Sequence, residues 1–189
     1  MFISSCQKEE QKTMAYAEVT KSSINNIIIN KNELELKSNL GLMYYQNQPF
    51  NGTSVRFYRD ALKSESIQYA NGKRHGVYQK WFPNGALSFE AHYENGLQVS
   101  NSRSWWKNGN LRTEANYKDG IVNGIQKQWY KSGIKFKEMT IINGQEEGLQ
   151  RAWRENGKIY NNYEAKNGRI FGLKRASLCY QLEDENVQY

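Results

Sequence analysis

From Val77 onward, apolar and polar residues alternate with a period of two. Odd positions carry Val77, Trp81, Leu87, Phe89, Ala91 and Tyr93, whereas even positions carry Lys80, Glu90 and His92. Successive side chains of a strand leave on opposite sides, so the pattern predicts β-strands with one aromatic face and one charged face. The alternation breaks at Pro83-Asn84-Gly85. Proline suits the first position of a type I turn, asparagine tolerates the second, and glycine supplies the positive φ that closes a three-residue hairpin loop. Such a loop sets Trp81 opposite Leu87 and Gln79 opposite Phe89. Glu94-Asn95-Gly96 has the same composition and predicts the same loop at the other end, with strands of about eight and ten residues.

The passage recurs 24 residues later, with Trp105, Leu111, Thr113, Ala115 and Tyr117 at odd positions and Arg112, Glu114 and Lys118 at even ones. Aligned on the aromatic residue, the column reads Phe57, Trp81, Trp105, Trp129 and Trp153. A glycine precedes each by five positions (Gly52, Gly76, Gly124 and Gly148), with Ser100 the exception. The turn glycines are Gly85, Gly109, Gly133 and Gly157, with Ala61 in the first unit. A fixed period across several columns is the signature of a repeat architecture. The predicted fold is therefore all-β: an elongated single-layer antiparallel meander of stacked 24-residue β-hairpin repeats. Five repeats occupy 52–171, capping strands 24–51, and an incomplete sixth unit with an acidic tail 172–189.

These residues resemble the MORN-repeat variant family, in which a Trp or Tyr pair precedes Asn-Gly and a Glu follows; its members are often labelled YwqK-type antitoxins. Leu42 to Gly52 (LMYYQNQPFNG) is similar to the opening unit of such proteins. The resemblance implies a sheet of hairpins used for binding, with no catalytic residues, and through the antitoxin label a toxin as partner.

Charge narrows the partner. The formal net charge is +7, and residues 72–175 hold 18 Lys and Arg against 9 Asp and Glu. A basic surface favours acidic partners. Lys127, Lys135, Lys137 and Arg151 occupy odd positions and so are expected among the rings of Trp81, Trp105, Trp129 and Trp153, making these eight the candidate binding face. Exposed charges contribute little to stability, so replacing the four cations is expected to leave the sheet folded. Two partner classes stay open: a protein at the cell envelope, or an anionic membrane surface or other polyanion. Salt separates them, because polyanion binding weakens steeply with ionic strength. Nucleic acid is disfavoured, since no recognition module is present.

Catalysis is not expected. His75 and His92 fall in different columns, and one histidine supplies neither a metal site nor a triad. The column Glu90, Glu114, Glu138 is read as cross-strand pairing with Lys or Arg rather than as an acid and base. Cys179, in a short apolar stretch, is read as a small buried residue. No cofactor and no metal are implied.

Ile3, Ser4, Ser5 and Cys6 resemble the last residues of a bacterial lipoprotein signal, in which the cysteine is lipidated, and Gln7 to Glu10 resemble the charged tether of surface lipoproteins. Residues 1–23 are thus expected to be the end of a signal followed by a leash, and the native gene to extend upstream of Met1 with a basic start and an apolar run. The expected location is the cell envelope, lipid-anchored through Cys6; without the anchor it is the cytoplasm.

Overall fold

A computed structural model describes residues 27–173. Cys6 and its tether, Cys179 and the acidic tail lie outside the described residues. Apart from one turn of 3-10 helix at Lys31–Glu33, every regular element among the described residues is a strand. Among the described residues the chain divides into two compact units, 27–85 with Tyr93–Leu97, and Ala86–His92 with 98–173.

The first unit contains β1 (Ile28–Asn30), β2 (Glu35–Lys37), β3 (Leu42–Tyr45), β4 (Gln48–Pro49), β5 (Gly52–Phe57), β6 (Lys63–Ala70) and β7 (Lys73–Trp81). β5, β6 and β7 pair antiparallel in sequence order, and β1 adds in parallel to the free edge of β5, with Ile29 opposite Ser54. β2, β3 and β4 form a separate three-stranded sheet. Ile29, Phe50, Val55, Ile67, Tyr69 and Tyr78 are buried here, together with Glu65. A buried carboxylate must be paired. Lys31 forms an ion pair with Glu65, and the Tyr78 hydroxyl donates to its Oε1 at 2.7 Å. Burial alone would raise the Glu65 carboxyl; these hydrogen bonds outweigh it and hold the group below its ordinary value.

β8 (Leu87–Glu94) is divided between the units. The second unit then runs through β9 (Leu97–Trp105), β10 (Leu111–Lys118), β11 (Ile121–Val122), β12 (Gly124–Trp129), β13 (Lys135–Ile142), β14 (Gln145–Trp153), β15 (Ile159–Lys166) and β16 (Arg169–Leu173). Each pairs antiparallel with the next, except that β10 pairs with both β11 and β12.

One end of each hairpin matches the expected loop. Gly85, Gly109, Gly133 and Gly157 donate their N–H to the carbonyls of Phe82, Trp106, Tyr130 and Arg154 at 2.9–3.0 Å. Each of these glycines has φ between 81° and 90°. The other end differs from the expectation. Asn71, Asn95, Asp119, Asn143 and Asn167 have φ of 49–52° and are each followed by a glycine at positive φ. Two consecutive left-handed residues make a two-residue type I′ turn, whose twist matches that of the strands. The residue before the pair stays in the ladder, as in Ala70 opposite Lys73 and Ile142 opposite Gln145.

A second difference changes the faces. Trp105 lies opposite Leu111 as expected, but Thr113 then pairs with Ser104 and Glu114 with Arg103, leaving Arg112 as an extra residue. Ser64, Phe136 and Tyr160 are bulged at the same place in their hairpins. A bulge of one residue reverses the side to which the rest of the strand points. Odd residues of β10, β13 and β15 beyond the bulge therefore share a face with even residues of β9, β12 and β14. The expected division into an odd aromatic face and an even charged face does not hold. The tryptophan column and the tyrosine column lie on opposite faces of the sheet.

Candidate binding surface

On the tryptophan face of the second unit, five charges alternate across five strands. Arg103 pairs with Glu114, Glu114 with Lys127, Lys127 with Glu138, and Glu138 with Arg151. The row exists because a 24-residue period returns the same column to the same height while each hairpin alternates a cationic with an acidic strand. The side chains meet: Arg103 Nε reaches Glu114 at 2.9 Å, Lys127 Nζ reaches it at 3.9 Å, and Arg151 reaches Glu138 at 2.6 Å. Lys135, three residues before Glu138 in β13 and brought to the same face by the bulge at Phe136, adds a further ion pair at 2.9 Å. The hydrogen bond from Lys135, joined by that from Arg151, holds the Glu138 carboxyl below its usual range against the opposing effect of partial burial.

Aromatic rings stand among these charges. The Lys135 ammonium and the Arg151 guanidinium lie 5.4 and 5.5 Å from the Trp153 ring centroid, within cation–π range. In the first unit, Lys63 covers Trp81 at 5.3 Å. Neighbouring repeats are also fastened by the residue after the tryptophan column: Trp106 Nε1 donates to the Trp129 carbonyl at 3.1 Å, and the Tyr130 hydroxyl to that of Trp153 at 2.9 Å.

The structure thus brings Lys127, Lys135 and Arg151 together with Trp129 and Trp153, but as members of an ion-pair network in which they and Arg103 share the two carboxylates Glu114 and Glu138. Lys137 is separated from them. It pairs with Gln128 and Ala152, next to Glu138 in the chain, and so occupies the opposite face. Trp81 belongs to the first unit, and Trp105 pairs with Leu111 at the start of the second unit's ladder. The reading of Glu114 and Glu138 as cross-strand partners agrees with these ion pairs. Because Glu138 is only 16% exposed and is engaged by Lys135 and Arg151, replacing the four cations would strand its carboxylate, while Glu114 would keep Arg103. A loss of stability is now the expected result.

The opposite face of the second unit holds a trough of about 480 Å³ that the alternation alone did not reveal. Its apolar lining is Phe89, Ala115, Tyr117, Val122, Met139 and Ile141. Gln98, Ser102, Thr113, Gln126 and Gln128 supply uncharged polar groups, and the paired Glu114 and Lys127 also line it. Gln126 is buried and fully engaged: left-handed Gly124 interrupts the ladder, and the amide takes over the lost bonds. Its Oε1 accepts from the Asn116 N–H at 3.1 Å, and its Nε2 donates to the Gly124 carbonyl at 3.0 Å. Gln150 repeats the donor half of the device beside Gly148, donating to the Thr140 carbonyl at 2.7 Å, while its buried Oε1 has no partner among the described residues. The available signal was glutamine at 126 and 150, two residues after a conformationally special glycine; it reads as polar until the register is known.

Among the described residues no cluster of His, Cys, Asp and Glu could hold a metal ion. His75 accepts weakly from the Asn95 N–H at 3.4 Å, and His92 has a buried Nδ1 without a partner among the described residues. No helix of the described residues is long and apolar enough to cross a membrane.

Two segments, residues 74–95 and 100–119, match the family model of the MORN repeat variant. No curated protein matches the chain.

Proposed function

Because the chain carries repeats of the MORN variant, a non-catalytic binding module, we propose that it is a protein-interaction module whose second unit holds an extended, largely uncharged polypeptide segment in the Phe89–Met139 trough. The observation that carries this reading is the distribution of charge. The trough is lined mainly by apolar, hydroxyl and amide residues, and its two charged lining residues, Glu114 and Lys127, are of opposite sign and pair with each other at 3.9 Å. Lys135 and Arg151 of the tryptophan face, in turn, are engaged by Glu138. A strand-like segment buries alternate side chains in such a groove and leaves electrostatics little to contribute. The cell envelope is the proposed setting, with Cys6 as the lipid anchor, and neutralisation of a toxin is the specific role that the family label suggests. Full-length protein carrying Cys6→Ser should leave the membrane fraction; retention there would refute the anchor. A toxin-like neighbouring coding sequence would favour the specific role.

One observation favours an anionic membrane as the alternative. Lys107, Lys131 and Lys158 are exposed at hairpin tips and have no ion pair among the described residues. The test uses peptides selected by display against the wild type and vesicles of phosphatidylglycerol in phosphatidylcholine, at low and physiological salt. The protein reading expects peptide binding that survives salt and is lost in Met139→Glu. Vesicle binding that collapses with salt, is lost when the three tip lysines become Gln, and is unaffected by Met139→Glu would overturn it.

A further inference from the structure

The chain contains nine Asn-Gly pairs, the dipeptide most prone to cyclise. The glycine nitrogen attacks the asparagine side-chain carbonyl carbon, a C–N bond forms, and ammonia leaves. Water then opens the succinimide at either carbonyl to give aspartate or isoaspartate. We propose that Asn167 is the site at which the folded protein undergoes this modification, with the other eight pairs protected by their hydrogen bonds.

Attack requires the glycine nitrogen to give up its proton and move towards the side chain. Gly85, Gly109 and Gly157 donate that N–H across their own loops at 2.9 Å. Gly72, Gly96 and Gly144 donate it to the carbonyls of Phe50, Arg74 and Val122 at 2.8–2.9 Å. In Asn51-Gly52 and Asn123-Gly124 the glycine begins a strand, and the asparagine carbonyl is itself occupied, accepting from Asn71 and Asn143 at 2.8 and 3.0 Å. Gly168 is the exception: its N–H has no partner among the described residues.

A Cβ at Gly72 would lie 2.8 Å from the Met43 carbonyl oxygen, and one at Gly144 3.3 Å from Ile121, whereas one at Gly168, like those at Gly85, Gly109 and Gly157, meets nothing within 4 Å. Gly168 combines open space with an N–H that has no partner among the described residues. Asn167 is exposed, and Glu147 accepts its backbone N–H at 3.1 Å, which holds the turn while leaving the side chain free to swing. An aspartate product fits the turn, since Asp119 occupies the equivalent position with φ of 52°. An isoaspartate does not, because its extra backbone carbon shifts the register of Lys166 opposite Arg169. Ageing would therefore add a negative charge to the β15–β16 hairpin and loosen it.

The experiment follows deamidation at every Asn-Gly pair by peptide mapping with mass spectrometry, on the whole protein, in parallel native and urea-denatured incubations. Giving up a hydrogen bond of about 1 kcal/mol slows a step roughly fivefold. Asn167 should therefore lead the other pairs by at least that factor in the native sample and lose its lead in urea. Gly168→Ala should slow it, and Asn167→Gln should abolish it. Uniform native rates, another pair in the lead, or an Asn167 lead that persists in urea would overturn the proposal.

Discussion

Ser100 tests whether the repeat's backbone geometry is imposed by the array. It stands in the column otherwise filled by Gly76, Gly124 and Gly148, and it adopts their left-handed conformation, with φ of 59°. Its side chain is exposed and has no hydrogen bond among the described residues that a substitution would remove. A non-glycine residue in this region is disfavoured by roughly 1–2 kcal/mol, while glycine loses about 0.4–1 kcal/mol more backbone freedom on folding. Ser100→Gly should thus stabilise the protein by about 0.5–1 kcal/mol, raising Tm by roughly 1–4 °C for a chain of this length. The reverse change is Gly148→Ser. A Cβ there would meet Thr140 at 3.6 Å, an ordinary contact, so backbone strain alone should destabilise by a similar amount. Urea denaturation followed by tryptophan fluorescence measures both. A neutral or destabilising Ser100→Gly beside a tolerated Gly148→Ser would refute the reasoning.

Ala61→Gly should act in the same direction, since Ala61 holds φ of 61° at a turn-glycine position; a fall in urea midpoint would contradict this. Glu138→Gln should cost about 1 kcal/mol at neutral pH, a value discounted because Lys135 and Arg151 are more than a third exposed. The Glu138 pKa is lowered in the fold. Its contribution is therefore complete above the ordinary carboxyl value and is lost as pH falls through the lower folded value, so wild type and variant should converge in acid. Tyr163, partly desolvated and donating to Glu146 at 2.7 Å, has its pKa raised to about 12. Stability linked to its protonation should be present below the ordinary tyrosine pKa and disappear as pH rises through about 12, and Glu146→Gln should bring its ultraviolet titration to lower pH. Tyr130→Phe removes the hydroxyl that reaches the Trp153 carbonyl and should cost about 0.5–1.5 kcal/mol by the same denaturation assay; no change would mean that this fastening is idle.

The tips of the 24-residue hairpins were legible in the sequence, because tight turns demand particular backbone angles and few residues supply them, whereas the β3–β4 tip at Gln46 and Asn47, both at positive φ without a glycine, was not. Asn84-Gly85 and Asn108-Gly109 announce such angles directly. Even the departures from the pattern kept a positive φ: Ser100 and Ala61, at 59° and 61°, stay in the left-handed region of the glycines they replace, since neighbouring strands over-determine them. The difference between the two ends was less legible, because Asn-Gly serves a three-residue loop and a type I′ turn alike. What only the tertiary structure decided was which side chains share a face. The bulged residue is Ser64, Arg112, Phe136 or Tyr160 in four hairpins, four side chains with no common chemistry, because a bulge constrains the backbone and not the residue type. That one residue sends Lys137 to the face opposite Lys127 and Arg151 and gathers Ala115, Tyr117, Met139 and Ile141 into the trough. Alternation in a sequence specifies sides only up to the next change of register, and the register is a property of two strands together.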